Sequence, residues 1–209
     1  MGVTLKLATS LDGRIATAAG ESRWITGEQA RAAVHRLRAE HDAVLIGIET
    51  ALADDPELTV RTAGHDGSQP ARVVLDSRGR LPKTSKLALT ADEAATYQVT
   101  LRGAGAVVRQ IEVVEDPGGR PALAPALDAL KAAGIARILV EGGGQVAASF
   151  LRAGLVNRIE WFRAPILLGS EGRPCLGALE LATLADAPRF RRVSVETLGS
   201  DLWERYERA

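Results

Sequence analysis

The chain has 209 residues, 46% of them hydrophobic, and its 26 Lys and Arg residues balance 26 Asp and Glu residues. This length is enough for one sizeable hydrophobic core. The zero net charge, without a long basic or acidic run, argues against nucleic acid or a membrane surface as a partner. The single cysteine, Cys175, excludes an intrachain disulfide and a multi-cysteine zinc site and fits a reducing cytoplasm.

No apolar run reaches the roughly 20 residues that a membrane span requires. The first residues also lack the apolar core of a signal peptide. We therefore expect a cytoplasmic globular protein that binds neither a membrane nor nucleic acid.

Short runs rich in Val, Ile and Leu alternate with helical patterns along the chain. The predicted strands are residues 3–8, 43–48, 71–76, 136–141 and 157–162, followed by an antiparallel pair at 190–198 and 202–207. Helices are predicted at about 27–40, 122–133 and 145–153, and the last two end before Gly134 and Gly154, a typical C-terminal cap. This alternation predicts one α/β domain over residues 1–209, with a mixed sheet and helices on both faces.

Several candidate site residues lie on the first strand, in the loop that follows it and on the first helix. Lys6 lies on the first strand, Ser22 and Trp24 lie in the loop that follows, and Arg38 borders the apolar stripe of the helix. A strand lysine is often only solvated, and a tryptophan before a helix often belongs to the core or to the helix entry. For each of these residues taken alone, a purely structural role is the favoured explanation.

The run LADDPELTVR, residues 52–61, places Asp54, Asp55 and Glu57 close together and ends with Arg61. A solvated turn explains this composition. A loop that holds a polar ligand at one end and an anionic group at the other explains it equally. We expect Asp55 to be mostly a turn residue, stiffened by Pro56.

The run VVLDSRGR, residues 73–80, is a strand that ends at Asp76 and Ser77 and is followed by Arg78 and Arg80. Sites that accept the 2′-phosphate of NADP often place an arginine at such a position. Ser77 with Arg78 or Arg80 therefore favours NADPH as a ligand. The alternative is a charged turn without a ligand.

The run ILVEGGGQVAASFL, residues 138–151, passes from a strand through three glycines into a helix. Glycines allow backbone N–H groups to approach an anion, and the helix N-terminus adds a favourable dipole. Glu141 lies at the carboxyl end of the strand, where open α/β sheets bind ligands. The pattern indicates a phosphate site, although a tight turn between strand and helix is also consistent with it.

Several segments in this order resemble one family: KLATSLDGRIA, GESRWITG, LADDPELTVR, RVVLDSRGRLP and ILVEGGGQVAASFLRAGLVNRIEWFRAPILLG. They are similar to the reductase domain of the riboflavin-biosynthesis deaminase/reductase proteins. The resemblance covers most of the chain and is weakest at residues 84–120. It implies a single-domain dihydrofolate-reductase-like fold, with a mostly parallel central sheet flanked by helices and antiparallel C-terminal strands.

The resemblance also implies a reaction: NADPH reduces 5-amino-6-(5-phosphoribosylamino)uracil to the ribitylamino compound by hydride transfer to ribose C1′. Implied cofactor contacts, with Arg78 added from the pattern above, are Ala8, Trp24, Thr50, Asp54, Ser77, Arg78, Gly143, Gly144, Gln145, Val146, Ala147, Ala148 and Ser149. Implied substrate contacts are Ser22, Arg38, Leu58, Arg61 and Glu141. The candidate catalytic residues are Lys6, Asp54 and Glu141, and the sequence does not identify the proton donor among them.

The resemblance further implies a homodimer and a small-molecule phosphoribosylaminopyrimidine as the substrate. The zinc signature of the companion deaminase is missing, since the chain has one cysteine and its three histidines lie in unrelated contexts. We therefore expect no metal site. Alternatives are a reductase of the same fold that acts on dihydrofolate or another pteridine or pyrimidine, and a nucleotide-binding module without catalysis. The sequence leaves open whether the chain is a standalone reductase or part of a fusion with a deaminase.

Overall fold

The computed structural model describes residues 1–62 and 64–209, and these residues form eleven strands and five α-helices. The strands are β1 (Gly2–Thr9), β2 (Arg14–Ala16), β3 (Ala43–Gly47), β4 (Ala71–Leu75), β5 (Thr96–Leu101), β6 (Arg109–Val113), β7 (Arg137–Gly142), β8 (Arg158–Arg163), β9 (Arg173–Pro174), β10 (Phe190–Leu198) and β11 (Asp201–Arg208). The helices are α1 (Glu28–Ala39), α2 (Ile48–Asp54), α3 (Lys86–Leu89), α4 (Leu123–Ala132) and α5 (Gly144–Arg152). No helix among the described residues is long and apolar enough to cross a membrane.

The chain divides into two compact units, each assembled from two separate stretches of sequence. Unit 1 consists of Met1–Gly2 and His35–Val140, and unit 2 consists of Val3–Val34 and Glu141–Ala209. The expectation that residues 1–209 form a single domain stays a prediction.

In unit 1 the strands lie in the order β7, β3, β4, β5, β6. The pairs β3–β4, β4–β5 and β5–β6 are parallel. All five residues of β3 are buried, which is typical of a parallel strand covered on both faces and explains its continuous apolar run. The residues that pack together around this sheet are Val44, Ile46, Ile48, Ala51, Leu58, Val74, Leu81 and Leu87.

In unit 2 the strand order is β10, β11, β8, β1. Strand β8 runs parallel to β1, whereas β11 is antiparallel to both β8 and β10. Trp203 stacks on Phe162 with ring centroids 5.2 Å apart, and its indole N–H donates to the buried Glu160 carboxylate at 2.7 Å. These contacts hold β11 against β8. The predicted α/β fold, with a mostly parallel sheet and antiparallel C-terminal strands, is confirmed.

Glycines end both α4 and α5, as predicted. Gly134 has φ +88° and Gly154 has φ +66°, the left-handed conformation that glycine adopts without strain. The N–H of Ile135 donates to the carbonyl of Leu130, and the N–H of Leu155 donates to that of Phe150. Both helices thus end in a Schellman motif that satisfies carbonyls in the last turn.

Two parts of unit 1 differ from the prediction or were not predicted. Residues 48–54, expected as the end of a strand and a loop, form helix α2. Strands β5 and β6 lie in the segment that carried little signal. Strand β5 buries the polar residues Thr96, Gln98 and Thr100, so its sequence lacks the apolar run of a central strand.

Arg72 on β4 is buried, with 1% of its surface exposed, and its guanidinium connects several loops of unit 1. It donates to the Thr96 hydroxyl at 2.7 Å and to the carbonyls of Thr90 at 2.7 Å and Ala94 at 3.0 Å. A longer bond of 3.4 Å reaches the carbonyl of Glu57. Burial lowers the pKa of this guanidinium, while the charges of Glu93 and Glu57 oppose the shift. Arg72 therefore supplies one charged donor group to several carbonyls and to the Thr96 hydroxyl of unit 1.

Replacement of Arg72 by methionine keeps much of the volume and removes every donor. We expect Arg72→Met to lower the free energy of unfolding by about 3–5 kcal/mol, because several hydrogen bonds from one charged, buried donor group are lost together. Urea denaturation measures this change.

The matched control is Arg137→Met. Arg137 lies on β7 of the same unit and pairs with Asp42 at 2.9 Å, but 61% of its side chain is exposed. A surface pair of this kind contributes at most about 1 kcal/mol. Equal losses in the two variants would contradict the role assigned to Arg72.

Candidate functional site

In unit 1, several predicted site residues lie at the carboxyl ends of β3 and β4. Gly47 and Leu75 are opposite each other in the parallel register, so α2 begins beside the residue that follows β4. Thr50 and Asp54 are four residues apart and share one face of α2. Open α/β sheets bind ligands at this edge.

The turn after β4 is shaped by the buried carboxylate of Asp76. Its Oδ2 accepts hydrogen bonds from the Leu81 N–H at 2.8 Å and from the Gln98 side-chain amide at 2.9 Å. Gly79 has φ +67°, and a Cβ atom there would collide with the carbonyl of Gly105. Asp76 and Gly79 thus give the turn its shape, and Ser77 lies within it.

The two arginines of this turn have different surroundings. Arg80 forms an ion pair with Glu49, and its hydrogen bond to the Glu49 carboxylate raises the pKa of Arg80. Arg78 is exposed and, among the described residues, makes no hydrogen bond or ion pair. Of the two arginines left open by the sequence, Arg78 is therefore the one available to an anionic ligand beside Ser77.

The three carboxylates of residues 52–61 have separate positions. Asp54 ends α2, and Asp55 follows it in the left-handed conformation with φ 39°. The Asp55 carboxylate accepts a hydrogen bond from the Lys86 N–H at 2.9 Å, which confirms its expected role as a turn residue. Glu57 pairs with Arg61 at 2.9 Å. Asp54 stays the predicted catalytic carboxylate of this loop.

Arg38 and Arg61, two of the predicted substrate contacts, both contact Thr59. The Arg38 guanidinium donates to the Thr59 carbonyl at 2.9 Å, and that of Arg61 reaches the Thr59 hydroxyl at 3.4 Å. Leu58, in contrast, is 3% exposed and packs in the core with φ +57°. Its side chain therefore offers no surface to a substrate, and only its backbone remains available for the predicted contact.

In unit 2, the glycine run forms the end of β7 and the beginning of α5. Gly143 occupies the N-cap position with φ +85°, and no side chain caps the helix. A Cβ atom on Gly144 would lie 3.0 Å from the carbonyl of Pro174, so this glycine is also needed for close packing. The uncapped N-terminus suits an anion because its N–H groups and dipole both attract negative charge.

The rest of the predicted cofactor run follows α5. Ala147 and Ala148 are buried inside unit 2, so their side chains belong to the core. Gln145 is exposed, and Val146 and Ser149 are half-buried. The first turn of α5 is thus the part of the run that is accessible to a ligand.

The remaining predicted residues of unit 2 are distributed over its strands and front loop. Lys6 and Ala8 are half-buried and point to the same face of β1, while Glu141 is half-buried near the end of β7. Ser22 is half-buried in the loop before α1.

Trp24 is not a core residue, because 69% of its surface is exposed. The Arg31 guanidinium lies 4.6 Å from the centre of the indole ring, a cation–π contact. The structural explanation of Trp24 as a core residue is therefore wrong, and the ring is accessible to a ligand.

Three residues with clear structural importance were missed in the sequence: Arg31, His35 and Arg72. All three read as ordinary charged or polar positions, and no local pattern distinguishes them. Among the described residues, no group of His, Cys, Asp and Glu side chains is arranged to hold a metal ion. Burial raises the pKa of the Cys175 thiol, which disfavours the reactive thiolate.

The sequence matches the RibD C-terminal domain family over residues 2–203. A riboflavin biosynthesis protein RibD of Mycobacterium tuberculosis is 41% identical over 204 residues, covering 96% of this chain and 52% of that protein. A 2,5-diamino-6-ribosylamino-4(3H)-pyrimidinone 5′-phosphate reductase of Methanothermobacter thermautotrophicus is 38% identical over 211 residues, covering 98% of this chain and 96% of that protein.

Among solved structures, Acinetobacter baumannii RibD superposes with a TM-score of 0.84 at 35% identity, covering all of this chain and 58% of that one. The chain thus spans about half the length of the RibD proteins that it matches. It matches the Methanothermobacter reductase over nearly the full length of both. These matches and the observed fold agree with the resemblance found in the sequence motifs: the chain belongs to the RibD C-terminal domain family.

Proposed function

We propose that this chain reduces 5-amino-6-(5-phosphoribosylamino)uracil to the 5-phosphoribitylamino product, with NADPH as the reductant. The observation that carries this proposal is that the Arg38 and Arg61 guanidiniums both contact Thr59, one at its carbonyl and the other at its hydroxyl. Two family relatives carry names that specify a phosphorylated ribosylaminopyrimidine, one as a reductase of the 5′-phosphate and one as a phosphoribosylaminouracil reductase. A substrate of this kind requires cationic groups for its phosphate.

The two arginines suit that phosphate for geometric reasons. A guanidinium offers a planar set of N–H donors that matches two phosphate oxygens, and it stays charged at every physiological pH. Arg61 is exposed, and its ion pair with Glu57 is a surface pair that costs little to exchange for a phosphate. Ser22, half-buried in the loop before α1, stays a predicted substrate contact.

NADPH is the proposed cofactor because two features of the chain fit a dinucleotide phosphate. The uncapped N-terminus of α5 attracts an anion, and the exposed Arg78 beside Ser77 is suited to a 2′-phosphate. Trp24, whose ring is exposed, and Ala8 in unit 2 stay predicted cofactor contacts, as does Thr50 in unit 1. When bound, the cofactor supplies a hydride from its nicotinamide ring.

The chain's own residues would orient the sugar and manage one proton. In its open form the ribosylamine is a C1′ imine, so reduction adds a hydride to C1′ and a proton to the attached nitrogen. Asp54 is proposed to orient the sugar hydroxyls. Lys6 and Glu141 are the two candidates to supply the proton, since both are half-buried ionisable groups on strands of unit 2.

A second substrate has specific support. The Methanothermobacter relative is named for the 2,5-diamino-pyrimidinone, which still carries the amino group that a deaminase removes, and it matches nearly the whole chain. Both candidates share the ribose 5′-phosphate, so the arginine pair suits either. Dihydrofolate is the third candidate, and it lacks this phosphate.

We further propose that the protein works in the cytoplasm as a homodimer, as the family resemblance implies. A buried free thiol is consistent with a reducing compartment. Light scattering should give about twice the 22.1 kDa mass of one chain, and a mass of one chain at micromolar concentration would contradict the dimer.

The substrate proposal predicts a phosphate-dependent effect of Arg61→Ala. We expect substrate-dependent NADPH oxidation by the wild type with the phosphoribosylaminouracil, and a loss of about 100-fold in kcat/KM in the variant, because one charge-assisted contact to phosphate disappears. The diamino compound and dihydrofolate, assayed in parallel, distinguish the three substrates. Turnover with dihydrofolate alone would keep the fold and discard the phosphoribosyl substrate.

The cofactor proposal predicts a change of preference in Arg78→Ala. We expect the ratio of kcat/KM for NADPH to that for NADH to fall about 10-fold, since the 2′-phosphate loses its cation. Arg80→Ala is the matched control, because Arg80 pairs with Glu49 and should leave this ratio within about twofold. A larger effect at Arg80 than at Arg78 would overturn the assignment.

A further inference from the structure

The segment 59–61 belongs to no strand. It carries Arg61, a proposed phosphate ligand, and the Thr59 carbonyl that accepts from Arg38. Its middle residue is nevertheless held like a strand residue. The Val60 N–H donates to the Gln69 side-chain carbonyl at 2.7 Å, and the Gln69 side-chain N–H donates back to the Val60 carbonyl at 3.2 Å. One amide side chain thus takes the place of a neighbouring strand on this edge.

The other edge of the segment faces α1. The Arg61 N–H lies 3.1 Å from Nδ1 of His35, and the Arg38 guanidinium donates to the Thr59 carbonyl at 2.9 Å. Successive residues of an extended segment direct their peptide groups to opposite sides, so residues 59 and 61 face α1 and residue 60 faces Gln69. Two side chains of α1 therefore complete the second edge.

The protonation of the His35 ring follows from this arrangement. A backbone N–H can only donate, so the hydrogen bond from Arg61 to Nδ1 requires the neutral tautomer with its proton on Nε2. Nδ1 is also 3.2 Å from the Thr59 carbonyl, but in this tautomer it has no proton to donate there. The Thr59 carbonyl receives its hydrogen bond from Arg38 instead. His35 thus binds the Arg61 N–H, and Arg38 binds the Thr59 carbonyl.

We propose that His35 is a positioning residue that sets the place of Arg61 relative to Arg38 through the Arg61 peptide N–H. This inference rests on the proposed function, in which these two arginines bind the substrate phosphate. His35 itself need not touch the substrate. Without its acceptor, the Arg61 peptide is free to rotate, and the two guanidiniums no longer share a fixed spacing.

The test compares His35→Leu with His35→Gln. Leucine removes the acceptor, whereas the glutamine amide can accept from the Arg61 N–H with its carbonyl oxygen. With the phosphoribosylaminouracil, we expect His35→Leu to raise KM about 10-fold with kcat within about twofold, and His35→Gln to restore KM to within about threefold of the wild type. With the same compound lacking its phosphate, both variants should match the wild type.

His41→Leu is the matched control. It removes another imidazole, just beyond the end of α1, whose Nδ1 faces the Leu37 carbonyl of its own helix. Its KM for the phosphorylated substrate should stay within about twofold of the wild type. Equal damage in His41→Leu, or no rescue by glutamine, would overturn the inference.

A second readout needs no substrate. Hydrogen exchange of the Arg61 backbone amide, followed by NMR, should be faster in His35→Leu than in the wild type and close to wild type in His35→Gln. An unchanged exchange rate in His35→Leu would reject the positioning role whatever the reaction. If instead the wild type and Arg61→Ala show the same kcat/KM with phosphorylated and unphosphorylated compounds, the proposed function fails. The exchange rate of the Arg61 amide still tests the role of His35 in that case.

Discussion

The buried guanidinium of Arg72 is the contact on which the candidate site of unit 1 depends. It joins strand β4 to the carbonyls of Thr90 and Ala94 and to that of Glu57. Glu57 begins the stretch that continues to Thr59 and Arg61. The segment with the proposed phosphate ligand Arg61 thus begins at a residue that the buried Arg72 holds, and Arg61 itself lies on the surface. A rigid support of this kind is what a binding site needs to keep its ligands in place.

Carboxylates and cations have different roles in this chain. Several carboxylates, those of Asp42, Asp55 and Asp76, accept hydrogen bonds from backbone N–H groups and hold turns or strand ends. The groups left for anionic ligands are cations and peptide dipoles: Arg61, Arg78 and the uncapped start of α5. A chain of zero net charge can therefore present positive sites to a phosphorylated substrate and cofactor without a basic surface.

Much of the fold could be predicted from the sequence because its buried parallel strands are apolar runs and two of its helices, α4 and α5, end at glycines. Strand β5 could not, since Thr96, Gln98 and Thr100 are buried there as partners of other polar groups. The site was predicted mainly through motif resemblance. The motifs could not show tertiary contacts. These include the contacts of Arg38 and Arg61 with Thr59, the exposure of Trp24 and the acceptor role of His35.

The most direct test of the proposed reaction follows the hydride itself. The purified protein is supplied with NADPH carrying deuterium at the transferred position of C4 and with the phosphoribosylaminouracil, and the product is examined by mass spectrometry and NMR. The account predicts one deuterium per product molecule, located at C1′ of the ribityl chain. A product without deuterium, or with deuterium in the pyrimidine ring, would contradict it.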